Sequence, residues 1–111
     1  MTDREQLQLA AKAAGIEWYG MYGDEHNECH YLDIGPEDVV EWNPLTDDGD
    51  ALRLAVKLGL TVEIWERQVA EIAGRILFNG NLIFITVSND PYAAARRAIV
   101  RAAAEIGKAM P

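Results

Sequence analysis

The run WNPLTDDGDALRLAVKL, residues 42–58, holds a rigid turn, a helix start and a helix body in one stretch, and the rest of the chain can be placed around it. Asn43-Pro44 steers Asn43 away from the α region, so the chain enters extended. Thr46 is then the expected N-cap, with Asp47 and Asp48 in the first turn, where their charges suit the positive end of the helix dipole. Ala51, Leu52, Leu54, Ala55, Val56 and Leu58 leave a narrow polar strip of Asp50, Arg53 and Lys57, which reads as a helix buried on most sides. Gly59 stands where a left-handed C-terminal cap is expected.

Upstream, Thr2-Asp3-Arg4-Glu5 is a capping box, and Leu7, Ala10, Ala11 and Ala14 form the stripe of a first helix that Gly15 closes. Glu17 to Tyr22 and Cys29 to Ile34 read as two strands joined by the polar turn 23–27, before Gly35-Pro36 and a lead-in at 37–41. Downstream, Thr61 to Trp65 alternates as a strand does. Residues 66–78 fit either a helix or a strand; a strand or bulged strand is preferred through Arg75 to Phe78, because Asn79-Gly80 follows as a strong hairpin signal. Asn81 to Val87 is apolar on both faces and reads as a central strand. Asp90 caps a last helix with Pro91 in its first position and a core stripe of Tyr92, Ala95, Ile99, Ala102, Ile106 and Met110. The order α-β-β-α-β-β-β-α implies an α+β fold, an antiparallel or mixed sheet of about five strands sandwiched by three helices.

A chain of 111 residues, half of them apolar, is expected to form one domain with an adequate core. The single cysteine, Cys29, excludes an internal disulfide and suits a reducing cytoplasm. The polar N-terminus does not read as a signal peptide, and no apolar run is long enough to span a bilayer. The net charge of −8 is unevenly placed. Between Lys12 and Arg53 there is no Lys or Arg, but there are eleven carboxylates. Such a block repels nucleic acid and attracts basic surfaces.

Two blocks, WNPLTDDGDALRLAVKL at 42–58 and DPYAAARRAIVRAAAEIG at 90–107, resemble the phage ABA-sandwich domain family of small tailed-phage and prophage proteins. They match in order and orientation over about a third of the chain. The resemblance implies an α/β sandwich and the cytoplasm of an infected bacterial host. It carries over no catalytic residue.

His26, Glu28, Cys29 and His30 are metal-ligand types, but residues four apart on a strand stand about 13 Å apart, near the outer limit for two imidazoles on one ion unless His26 lies in the turn, and the string is not the zincin pattern. A polar hairpin tip is the expectation, with no metal and no cofactor. Cys29 and His30 are neighbours on a strand and face opposite ways, so they make no nucleophile–base dyad. No catalytic set emerges. The expected function is non-covalent binding of a host or phage protein that presents a basic surface, in the manner of an anti-CRISPR inhibitor. Glu37, Asp38, Glu41, Trp42, Asp47 and Asp48 are the expected contact residues, with the aromatic as anchor. The alternative is a small-ligand protein that sequesters a nucleotide-like signal through Arg96, Arg97 and Arg101 near the start of the last helix. Direct nucleic-acid or membrane binding is not expected, and a homo-oligomer is compatible with the sequence.

Overall fold

A computed structural model describes residues 2–16, 18–22, 29–33 and 39–111, with side chains described at 2–16 and 42–111. The chain is α+β. In order it forms α1 (Asp3–Ala14), β1 (Trp18–Tyr22), β2 (Cys29–Asp33), β3 (Val39–Glu41), α2 (Asp48–Leu58), β4 (Thr61–Val69), β5 (Ile72–Phe78), β6 (Asn81–Thr86) and α3 (Pro91–Ala109).

The expected sheet of about five strands is instead two three-stranded antiparallel sheets, β1-β2-β3 and β4-β5-β6. The extra strand is β3, which pairs Val39 with Asp33 and Glu41 with Tyr31 in the segment read as a lead-in. Residues 66–78 are strand on both sides of a turn: Val69 pairs with Ile72, and Ala70 and Glu71 take the positive φ values of 52° and 62° that a two-residue hairpin of this kind requires. The spacing is ambiguous there because the register of β4 on β5 shifts between Ile64 and Val69, which breaks strict alternation.

The local signals at helix ends are well realised. Thr2 and Glu5 complete the capping box, and Gly15 and Gly59 take the left-handed conformation at the ends of α1 and α2. Asp90 accepts the Ala93 N–H at 3.0 Å, ahead of Pro91. For α2 the cap is Asp47, not Thr46: the Asp47 carboxylate accepts the Asp50 N–H at 2.8 Å, while the Thr46 hydroxyl donates to the Asn43 carbonyl. The turn begun by buried Pro44 runs one residue longer than the sequence suggested, and both the Thr46 and Asp47 N–H groups bond to Asn43.

Instead of three helices sandwiching one sheet, among the described residues α3 is the helix that covers the second sheet. It packs on β5 and β6 on one side and on α1 and α2 on others, burying Ala98, Ile99, Val100, Ala102, Ala103, Ala104 and Gly107. The core joins these residues to Leu7, Ala10 and Ala11 of α1, Ala51 and Leu54 of α2, and Ile76, Phe78 and Ile85 of the second sheet. Tyr92 and Met110, expected in the α3 stripe, lie at its ends and are exposed. The crossing of α1 and α3 is close: a Cβ on Gly107 would stand 2.0 Å from the Leu9 carbonyl oxygen.

Candidate acidic surface

The acidic segment is described from residue 39 onward at its C-terminal end. Glu37 and Asp38 lie outside the described residues. Glu41 ends β3, beyond which the chain turns inward. Trp42 is buried, at 4% exposure, as a member of the core cluster, so it is not the exposed anchor expected from its sequence position. An aromatic among acids reads as surface, but here it lies two residues before a buried proline and is itself in the core.

Asp47 and Asp48 do reach the surface, at the N-terminus of α2, where the helix dipole favours carboxylates. Each has a second task. Asp47 caps the helix and lies 3.8 Å from Arg53. Asp48 receives Arg96 Nη1 at 2.5 Å, and Arg96 Nε donates to the Leu45 carbonyl at 2.9 Å. Asp50, largely buried, accepts the Asn43 N–H at 2.9 Å and Arg53 at 2.7 Å. Together Asn43, Thr46, Asp47, Asp50 and Arg53 line an open cavity of about 390 Å³. Its chemistry is that of a hydrogen-bond acceptor rim with one cation in it.

The apolar part of α2 differs from expectation. Ala51, Leu54 and Ala55 are buried, whereas Leu52 is 64% and Val56 74% exposed. They sit one turn apart on the same face, behind the acidic N-terminus. The spacing Ala51, Leu54, Ala55, Leu58 is the i, i+3, i+4, i+7 stripe, so strict periodicity separates Leu52 and Val56 from it.

The three arginines of the ligand-binding alternative do not converge. Arg96 is held by Asp48 and Leu45, and Arg97 by Asp3 at 2.5 Å and by Gln6. Arg101 lines a separate groove with Glu105, between α3 and the start of β6. The N-terminus of α3 is filled by its own cap carboxylate, Asp90. The Arg97 guanidinium, donating to Asp3, holds that carboxyl below its ordinary range, with partial burial opposing the shift.

His26 and Glu28 of the metal-type cluster lie outside the described residues; Cys29 and His30 open β2 opposite Tyr22 and Met21. Among the described residues no three His, Cys, Asp or Glu side chains are grouped as a metal site, and no helix is long and apolar enough to cross a membrane. No protein-family model, curated protein or solved structure matches the chain.

Proposed function

We propose that this protein works by non-covalent binding, presenting its acidic surface to a partner with a basic one. The observation that carries this is the charge inventory. Eighteen carboxylates against ten Lys and Arg leave an excess of eight under any internal pairing scheme. Five of the cations are already drawn toward Asp3, Asp47, Asp48, Asp50 and Glu63 or, for Lys12, a backbone carbonyl. The eight carboxylates between residues 17 and 41 therefore outnumber what the rest of the chain can neutralise. Such a surplus speeds encounter with a basic surface. Leu52 and Val56 replace Trp42 as the apolar contacts beside the acidic α2 terminus. The resemblance to phage ABA-sandwich proteins favours a partner in a host defence complex, whose nucleic-acid-binding surface is basic, and an anti-CRISPR-like inhibitory role in the host cytoplasm.

The test compares the parent with a Glu37→Gln, Asp38→Asn, Glu41→Gln variant as bait against purified basic defence complexes, at low and high salt. The expected result is a parent complex that weakens steeply with salt and forms more slowly in the variant. Equal association of the two at low salt, with the fold intact, removes the acidic block from the mechanism.

A further inference from the structure

The two edges of the second sheet are built differently. The β4 edge is irregular between Ile64 and Val69, where its register on β5 shifts, and carries Glu63, Glu66 and Arg67, features that discourage another strand from pairing. The β6 edge, NLIFIT, carries no charge, no proline and a continuous register with β5 from Asn81 to Ile85. The sequence suggested a central strand there; β6 is an edge strand, with no second strand neighbour among the described residues, and Leu82 and Phe84 are 42% and 45% exposed.

Asn79 and Gly80 have φ of 48° and 78°, so the β5–β6 loop is a two-residue turn closed by the pair Phe78 and Asn81. Antiparallel alternation then directs the N–H and C=O of Asn81, Ile83 and Ile85 toward β5. The same groups of Leu82, Phe84 and Thr86 point to the open edge. The Val87 N–H, bonded to the Glu71 carbonyl at 2.9 Å, continues the inward series.

We propose that β6 pairs antiparallel with β6 of a second copy of this chain, joining two three-stranded sheets into one of six strands. The outward groups recur every second residue, so even positions must meet even positions. The register that uses all of them sets Phe84 opposite Phe84 and Leu82 opposite Thr86 of the second copy, with about six N–H···O bonds. Residues opposite one another in a ladder share a face, so the two outer faces become continuous and both α3 helices stay on the other side. The arrangement closes on itself as a two-fold dimer.

Electrostatics point to the same face. Two chains of charge −8 repel, so association favours a surface away from the acidic segment. β6 is uncharged, and the groove of about 650 Å³ beside it is walled by Arg101 and Glu105, one of each sign, with Phe78, Ile106 and Met110. A six-residue strand edge alone falls short of the roughly 800 Å² per partner of a standard interface, so the groove walls must add to it and the dimer is concentration-dependent. This pairing is independent of the acidic-surface reading, which a monomer would leave intact.

Sedimentation of the parent from micromolar to near-millimolar concentration is expected to show a monomer–dimer equilibrium. Phe84→Lys sets two ammonium groups against each other at the two-fold and should raise the dissociation constant about tenfold or more, with the circular dichroism spectrum unchanged. Should that variant fail to fold, a second measurement decides. In a Cys29→Ser background, Phe84→Cys should form a disulfide-linked dimer on oxidation, because opposed Cα atoms in such a pair lie about 5.5 Å apart. Val62→Cys, on the defended edge, should not. A parent that stays monomeric throughout, or a dimer cross-linked at Val62 and not at Phe84, overturns the proposal.

Discussion

Replacing Gly107 by alanine should destabilise the protein, although glycine to alanine inside a helix ordinarily gains up to about 1 kcal/mol. Gly107 faces α1, and the added Cβ would stand 2.0 Å from the Leu9 carbonyl oxygen and 2.8 Å from its carbon. Those atoms belong to the backbone of a helix, so no rotamer change relieves the contact. α1 must back away by more than about 1 Å before the separation becomes an ordinary one. Its seat is set by Leu7, Ala10, Ala11 and Ala14, all nearly inaccessible, and small side chains leave no slack to absorb the shift. Overpacking of this kind typically costs about 1–3 kcal/mol, and with rigid backbone as the obstacle the upper part of that range applies, so that after the propensity gain a net loss of about 1–2 kcal/mol remains. Urea unfolding should show the midpoint falling by roughly 1 M with the slope unchanged. Gly49→Ala is the control: its Cβ would meet only the flexible ends of Arg53 and Asp47, at 3.2 Å, so stability should hold or rise. A Gly107→Ala midpoint equal to or above the parent's would refute the close helix crossing.

Asp47→Ala should cost about 1 kcal/mol as a lost helix cap, and Thr46→Ala about half that or less, read from urea midpoints. Trp42→Ala empties a core position and should cost about 3–5 kcal/mol; thermal melting should show a large fraction of the total stability gone. The Asp3–Arg97 pair sets a pH dependence. The folded carboxyl titrates below its unfolded value, so its stabilisation is complete above the ordinary carboxylate range and is lost as pH falls through the lowered folded value. The midpoint difference between the parent and Asp3→Asn should therefore be constant near neutrality and shrink in acid; a difference that grows on acidification would reverse the sign of the shift.

Helix ends and tight turns were legible because their determinants lie within three or four residues. Thr2 with Glu5, Gly15, Gly59, Asp90 with Pro91, and Asn79-Gly80 each act as their residue types require. What was not legible depends on partners distant in sequence. That Asn81 to Thr86 lies at an edge is decided by which strands pair, and an apolar edge strand looks the same as a central one. Val39–Glu41 becomes a strand because Tyr31 to Asp33 offer it a ladder, and three residues give no periodicity to read. The site was partly legible. Asp47 and Asp48 do stand at the α2 terminus, whereas Trp42, which reads as surface beside its acidic neighbours, is drawn into a core built from elements distant in sequence. Leu52 and Val56 are exposed because they lie off the i, i+3, i+4 stripe, which apolar composition around the helix does not reveal.

The two blocks that carry the family resemblance meet in the fold. Arg96, on the second, reaches the first twice, through the Leu45 carbonyl and the Asp48 carboxylate, and its side chain is only 16% exposed. A guanidinium this far from water needs both acceptors, because removing one leaves a desolvated charge unpaired. The turn at Pro44, the α2 start and the α3 face thus constrain one another through packing and hydrogen bonding, with no ligand required. Sequence pattern in these blocks has a sufficient structural cause. On the proposed reading, the groups left to meet a partner lie outside this contact: the carboxylates of residues 17–41, the exposed Leu52 and Val56 of α2, and the open edge of β6.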